Sequence, residues 1–179
     1  MGKNKPTRSA PADEVVDLLA LENQVCFALA VASRRVIGLY RPLLEPMGLT
    51  HPQYLVMLAL WGQEPLTVRA LGERLSLEPA TLSPLLKRLE AAGYLTRERD
   101  PHDERALQVR LTTAGRDLRR QALEIPPAIM ERLGMSMQEL TALRDHLTEV
   151  IRRTADTGTQ PDDQVIIDRT ADATLTALP

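Results

Sequence analysis

Apolar side chains recur at helical spacing along most of this chain, and the places where the rhythm changes mark its plan. Two short helical runs stand close together between Leu66 and Leu111. The first carries Val68, Leu71 and Leu75; the second, past a break at Ser76-Leu77, carries Leu82, Leu85, Leu86 and Leu89. Thr67 is placed to N-cap the first, and Gly93 to end the second in the left-handed region. Beyond Gly93 the period drops to two. Leu107, Val109 and Leu111 alternate with Gln108 and Arg110 as in a half-buried strand. Residues 94–99 and 106–111 are therefore expected to pair as a hairpin around 100–105. Two helices, a tight turn and a hairpin, in that order, predict a winged helix-turn-helix. Pro84 sits awkwardly in the second helix, because an internal proline removes a hydrogen bond and costs roughly 3 kcal/mol. The helix is expected to start late or to kink there.

The flanks of this motif are helical too. Residues 13–40 hold no proline and many apolar positions, among them Leu18, Leu21, Phe27, Val36 and Leu39. That is more than one face of a surface helix needs, which points to a dimer interface. Pro42, Pro46 and Gly48 make residues 41–48 a turn-rich connector or a short helix. Thr50 and Gln53 form a capping box for a helix carrying Tyr54, Leu55, Met57, Leu58, Leu60 and Trp61, ended by residues 62–65. Thr112 or Thr113 caps the next helix, which Pro126-Pro127 breaks or kinks and Gly134 stops. Ser136 and Glu139 form a second capping box. The last helix, to about Arg153, is expected to turn Leu140, Leu143, Leu147, Val150 and Ile151 inward. The plan is a polar disordered arm at 1–12, a folded region at 13–153 and a flexible acidic tail at 154–179. Within the folded region 66–111 is the recognition motif, and 13–48 with 113–153 supply a helical dimerisation lobe. The fold class is mainly α with a small β-hairpin.

Composition narrows the function. Of 179 residues 44% are hydrophobic but only 3% aromatic, so Leu, Ala and Val must fill the core. The net charge is −2, which gives no global attraction to nucleic acid or anionic membrane. Residues 64–111 hold eight basic and eight acidic side chains, so DNA binding rests on their placement rather than their sum. Thr81, Ser83, Lys87 and Arg88 are left for the outer face of the second helix, where small hydroxyls and a basic pair suit base edges and phosphates. No apolar run reaches membrane-spanning length and no signal-peptide core is visible. One cysteine excludes an intrachain disulfide and fits a reducing cytoplasm. Three scattered histidines make no metal site, and no glycine-rich phosphate loop or other cofactor motif is present.

The lone cysteine, Cys26, has a bland reading: a small hydrophobe in the core. Its neighbours suggest more. The run 22–27, Glu-Asn-Gln-Val-Cys-Phe, is followed by Tyr40-Arg41-Pro42-Leu43-Leu44 and Pro52-Gln53-Tyr54-Leu55. The second helix reads Thr81-Leu82-Ser83-Pro84-Leu85-Leu86-Lys87-Arg88 and the hairpin tip holds Asp103-Glu104-Arg105. Across roughly residues 13–153 the chain resembles the MarR family of winged-helix repressors, and within it the organic-hydroperoxide-sensing OhrR branch of the one-cysteine type. In that branch Pro84 is expected.

The resemblance implies a homodimer on palindromic double-stranded DNA, with the second helix of the motif in the major groove. It implies that Arg105, beside Asp103 at the wing tip, enters the minor groove. It implies that an organic hydroperoxide oxidises Cys26 to a sulfenic acid and so releases DNA, with Tyr40 hydrogen-bonding the thiolate. The family usually has a second tyrosine where this chain has His51; a neutral His51 can still donate one hydrogen bond, and the helix dipole at a first turn disfavours its protonation. Cys26 and Tyr40 are 14 residues apart, roughly 21 Å along one helix, so they could meet only if that helix packs antiparallel to its copy. Without a second thiol, the oxidised state is a sulfenic acid, a cyclic sulfenamide, a mixed disulfide with a low-molecular-weight thiol, or an over-oxidised sulfur.

Three other functions compete. One is a MarR-type regulator controlled by a small aromatic or acidic ligand, with Cys26 only a core residue. Another is a thiol peroxidase, for which the chain has neither a resolving cysteine nor a nucleotide site; no enzymatic role is expected. The last is a winged-helix protein-interaction module, which the balanced charge of the motif allows.

Overall fold

The computed structural model describes residues 17–99 and 106–155. The arm at 1–12, the tail beyond residue 155 and the hairpin tip with Asp103 and Arg105 lie outside them. The chain divides into two compact units, residues 1–36 and 37–179.

The first unit opens with a self-tied turn rather than the helix expected from residue 13. Asp17 Oδ1 accepts from Leu19 N–H at 2.9 Å, and Asn23 Nδ2 donates back to the Asp17 carbonyl at 2.8 Å. Gln24 Nε2 donates to the Leu18 carbonyl. A 3-10 turn, Leu21–Asn23, closes it, and Gln24 in extended conformation interrupts the helical path. Side chains that compete for backbone groups have displaced the helix start. Helix α1 therefore begins at Val25 and runs to Leu44, four residues past the expected end and through Pro42. Proline's ring would crowd the carbonyl four residues back, and that residue is Gly38, with open space around it.

The second unit holds the core. A 3-10 turn, Glu45–Met47, ends at Gly48 (φ +66°). Helix α2, His51–Gly62, starts at the expected capping box: Gln53 Oε1 accepts from Thr50 N–H at 2.8 Å and from its hydroxyl at 3.1 Å. Strand β1, Leu66–Thr67, leads into α3, Val68–Leu75, where Thr67 Oγ1 accepts from Ala70 N–H as its sequence position suggests. Helix α4, Pro79–Ala91, is continuous. It neither starts late nor breaks at Pro84. Pro84 is exposed, and so is Ala80, whose carbonyl loses its helical donor, so water can take that place. Gly93 (φ +77°) caps α4 as expected, with Gly93 N–H on the Glu90 carbonyl and Tyr94 N–H on that of Leu89.

Strands β2, Leu95–Arg99, and β3, Leu107–Leu111, pair antiparallel with Leu95 opposite Leu111 and Arg99 opposite Leu107. The short β1 joins the far side of β3, so the sheet has three strands in the order β1-β3-β2 rather than a bare hairpin. Val109 and Leu111 face the core as expected, but Leu107 is 45% exposed. Helix α5, Thr113–Ala122, is capped by Thr112, and α6, Ile125–Leu133, takes Pro126 and Pro127 in its first turn before stopping at Gly134. Ser136 and Glu139 box the start of α7, Met137–Ala155. No residue of α7 is buried. Leu143, Leu147, Val150 and Ile151, expected to turn inward, are exposed.

Leucine supplies more than half of the core. Leu44, Leu60, Leu71, Leu82, Leu86, Leu89, Leu95 and Val109 are covered essentially completely, with Met57 and Val56 of α2 between them. Helix α2 is thus wedged among α3, α4 and α5, which sets α4 firmly beneath its outward face.

Candidate DNA interface and thiol sensor

Helix α4 is held from three directions. Leu82, Leu85, Leu86 and Leu89 anchor its inner face. At its start the approach of α3 is tight: a Cβ on Gly72 would stand 3.0 Å from the Leu77 carbonyl oxygen. At its end Glu90 ties it to the wing. The Glu90 carboxylate accepts from Arg97 N–H at 3.1 Å and from Arg97 Nε at 2.9 Å. Those hydrogen bonds, set against some burial and joined by the Arg97 charge, hold the Glu90 carboxyl below its ordinary range. This clamp between α4 and β2 was not visible in the sequence, because nothing local marks a pairing across a helix cap and a strand.

The outer face of α4 carries the expected residues. Ser83, Lys87 and Arg88 are exposed and Thr81 is half-buried. Within this electrically balanced motif several acids are held in ion pairs. Glu73 is taken by Arg69 at 2.9 Å, Glu90 by Arg97, and Glu64 by Arg116 of α5 at 2.7 Å. No ion pair involves Lys87 among the described residues. Asp103 and Arg105 lie outside the described residues.

The wing is rooted by a second acid. Glu64 accepts from Leu111 N–H at 2.9 Å and from Arg116 Nε and Nη2 at 2.7 and 3.1 Å. Burial pushes the Glu64 carboxyl up, but the bonds from Arg116 and Leu111, with the charges of Arg116 and Arg110, outweigh it and the net shift is downward. Helix α5 meets the sheet closely as well. A Cβ on Gly115 would fall 2.0 Å from the Tyr94 carbonyl oxygen, and Trp61 Nε1 donates to the Gly115 carbonyl at 2.8 Å.

The residues expected at the thiol fall in different units. Cys26, in the first, is the second residue of α1 and is exposed. It is not a core residue of this chain. Tyr40 and His51, in the second, lie together with ring centroids 5.1 Å apart in an edge-to-face arrangement. Tyr54, which is not among the sensor residues expected from the sequence, continues the stack at 6.0 Å from Tyr40, and Trp61 lies 6.2 Å from Tyr54. Desolvation lowers the pKa of His51, so burial is the cause that favours its neutral form. Burial also raises Tyr40 and Tyr54, the latter with a contribution from Tyr40, so both phenols stay protonated at neutral pH. His51 Nδ1 is buried without a hydrogen-bond partner among the described residues.

A three-helix core with a recognition helix, a wing and apolar flanking helices defines a winged helix-turn-helix transcriptional regulator. Residues 49–107 match the model of the MarR family. The organic hydroperoxide resistance transcriptional regulator of Bacillus subtilis is 43% identical over 131 residues, 73% of this chain and 89% of that protein. AbfR of Staphylococcus epidermidis is similar in fold: its reduced, DNA-bound structure superposes with a TM-score of 0.62 at 34% identity, covering 75% of this chain and 94% of that one. The overoxidised, DNA-bound form matches with a TM-score of 0.61 at the same identity and coverage. The chain belongs to the MarR family, and these relatives bear out its likeness to the one-cysteine, peroxide-responsive branch.

Proposed function

We propose that this protein is a homodimeric repressor that sits on a palindromic operator and leaves it when an organic hydroperoxide oxidises Cys26. The observation that carries the reading is the exposed thiol in the first turn of α1, on the helix that also carries Tyr40. A core cysteine would support the ligand-controlled alternative; an exposed one beside relatives of this kind supports a sensor. The second copy is needed for two reasons. Val25, Phe27, Leu29, Leu143, Val150 and Ile151 leave apolar surface on α1 and α7 that a single chain does not cover. The Cys26–Tyr40 separation along α1 also calls for an antiparallel partner to bring the thiol to a Tyr40–His51 pair.

The chemistry is a two-electron transfer. The Cys26 thiolate attacks the distal peroxide oxygen, the O–O bond breaks, and the alkoxide leaves as an alcohol after taking a proton. The sulfur is then a sulfenic acid. Tyr40 and His51, both protonated-neutral donors at pH 7, would hydrogen-bond the thiolate and then the sulfenate. The sulfenic oxygen would take up room in the inter-subunit pocket and change its hydrogen bonds. A mixed disulfide with a low-molecular-weight thiol is bulkier, and overpacking an inter-subunit pocket can supply several kcal/mol. About 1.4 kcal/mol of differential stability gives a tenfold loss of affinity.

On DNA, Ser83 and Lys87, with Thr81 and Arg88 at the edges of the same face, meet the major groove, and Arg105 of each wing enters the minor groove. Two α4 helices must lie about one DNA turn apart, roughly 34–36 Å, so a few ångströms of dimer movement disengages them. The protein is a stoichiometric sensor of the cytoplasm rather than an enzyme. The test is an operator gel shift with and without cumene hydroperoxide, on wild type and Cys26→Ser. Cys26→Ser is expected to bind and to stay bound. If it leaves the operator with the wild-type dose response, the sensor is elsewhere.

A further inference from the structure

The turn that precedes α1 is an ordered knob of leucines with no core of its own. Leu18, Leu19 and Leu21 are 77%, 90% and 58% exposed. Their backbone is nevertheless held in one shape by Asp17, Asn23 and Gln24. A preorganised apolar segment loses little freedom when it docks. In the second unit α2, α5 and α6 border an open groove of about 250 Å³, lined by Tyr54, Leu58, Trp61, Arg119, Leu123 and Pro126. Leu58 and Leu123 are 43% and 57% exposed there. Arg119 at its edge has no ion-pair partner among the described residues, and the leucine turn is flanked by Asp17 and Glu22.

We propose that the groove seats the leucine turn of a second copy of this chain, as a clasp that holds the partner's Cys26 segment in place. The inference rests on the dimer reading above, in which Cys26 of one copy reaches Tyr40 and His51 of the other. From that point the distances agree. Leu58 lies seven residues beyond His51 on α2, about 10.5 Å along the helix. Leu21 and Leu18 precede Cys26 by five and eight residues, which in a compact turn at about 2 Å per residue spans roughly 10–16 Å. The apolar surfaces then cover one another, and Asp17 or Glu22 meets Arg119. The consequence is regulatory. The segment leading into Cys26 is anchored on the partner's DNA-binding unit, so a change at the sulfur strains a contact with α5, whose first turn abuts the wing root.

The test uses the full chain in a Cys26→Ser background. A size-tagged Leu21→Cys chain is co-expressed with an untagged Leu58→Cys chain and oxidised mildly; Leu21→Cys with Lys87→Cys, on the DNA face, is the control. A mixed-size disulfide forming at least about tenfold faster than in the control is the expected result. An equal rate in a protein that sediments as a dimer overturns the clasp and leaves the dimer reading standing. Sedimentation as a monomer overturns both. A chain carrying Leu21→Cys and Leu58→Cys together that closes an intrachain disulfide assigns the groove to its own turn and overturns the proposal as well. All the substituted positions are exposed, so folding is not at issue. As a second measurement, Leu21→Ser is expected to weaken the dimer about tenfold with unchanged far-ultraviolet circular dichroism; an unchanged dissociation constant counts against the clasp.

Discussion

Replacing Glu64 separates the wing root's hydrogen bond from its charge. Strand β1 begins at Leu66, opposite Val109, so it does not extend far enough to face Leu111. Glu64 supplies the missing acceptor for Leu111 N–H and at the same time holds Arg116 of α5. Leu111 is 5% exposed, so Glu64→Ala strands a buried donor, at a cost of about 1–3 kcal/mol. The pair with Arg116 adds little, about 0–1 kcal/mol, because the guanidinium is more than half exposed. Glu64→Ala is therefore expected to destabilise by about 2–3 kcal/mol and Glu64→Gln by no more than about 1, since the amide oxygen still accepts from Leu111. Urea unfolding followed by Trp61 fluorescence at one fixed protein concentration measures both. Ala and Gln variants that differ by less than about 0.5 kcal/mol would refute the assignment of the cost to the stranded donor. The pH dependence has a definite sign. The folded carboxyl lies below its ordinary 4.5, so its contribution is present above that value and is lost as pH falls through the folded pKa. That acid-side loss is expected to be smaller in Glu64→Gln.

Gly115→Ala is expected to cost at least about 3 kcal/mol, because the added carbon meets a backbone oxygen that cannot rotate away; a melt within about 1 °C of wild type contradicts it. Arg105→Ala should weaken operator binding by about 1–3 kcal/mol at fixed salt with stability unchanged, and equal affinity by fluorescence anisotropy removes Arg105 from the site. The protein should sediment as a dimer at micromolar concentration, and a folded monomer there contradicts the reading of α1 and α7. Peroxide-treated wild type should leave the operator more completely when a low-molecular-weight thiol is added; release that is complete and identical without it assigns the switch to the sulfenic acid itself.

Most element boundaries followed from residues a few positions apart. Thr50 with Gln53, Thr67, Gly93, Thr112, Gly134, and Ser136 with Glu139 act through cap bonds or backbone angles that span three to five residues, so the sequence alone determined them. The same holds for the inner stripe of α4 and hence for which of its residues face outward. Local competition misled the reading in one place: Asp17, Asn23 and Gln24 capture backbone groups and delay α1 to Val25, which moves Cys26 from mid-helix to a first turn. Other features needed the fold. Glu64 finds Leu111 and Arg116 across 47 and 52 residues, and β1 joins β3 across more than forty. Such pairings depend on the packing of α2 against α4 and α5, and no spacing announces them. The balanced charge of residues 64–111 likewise meant nothing until the ion pairs showed which acids are occupied. The apolar surplus of the outer helices was plain in the sequence, but the direction those side chains face was decided only by tertiary structure: Val56, Met57 and Leu60 of α2 and the four buried leucines of α4 already fill the core, so α7 has nothing left to bury against within one chain.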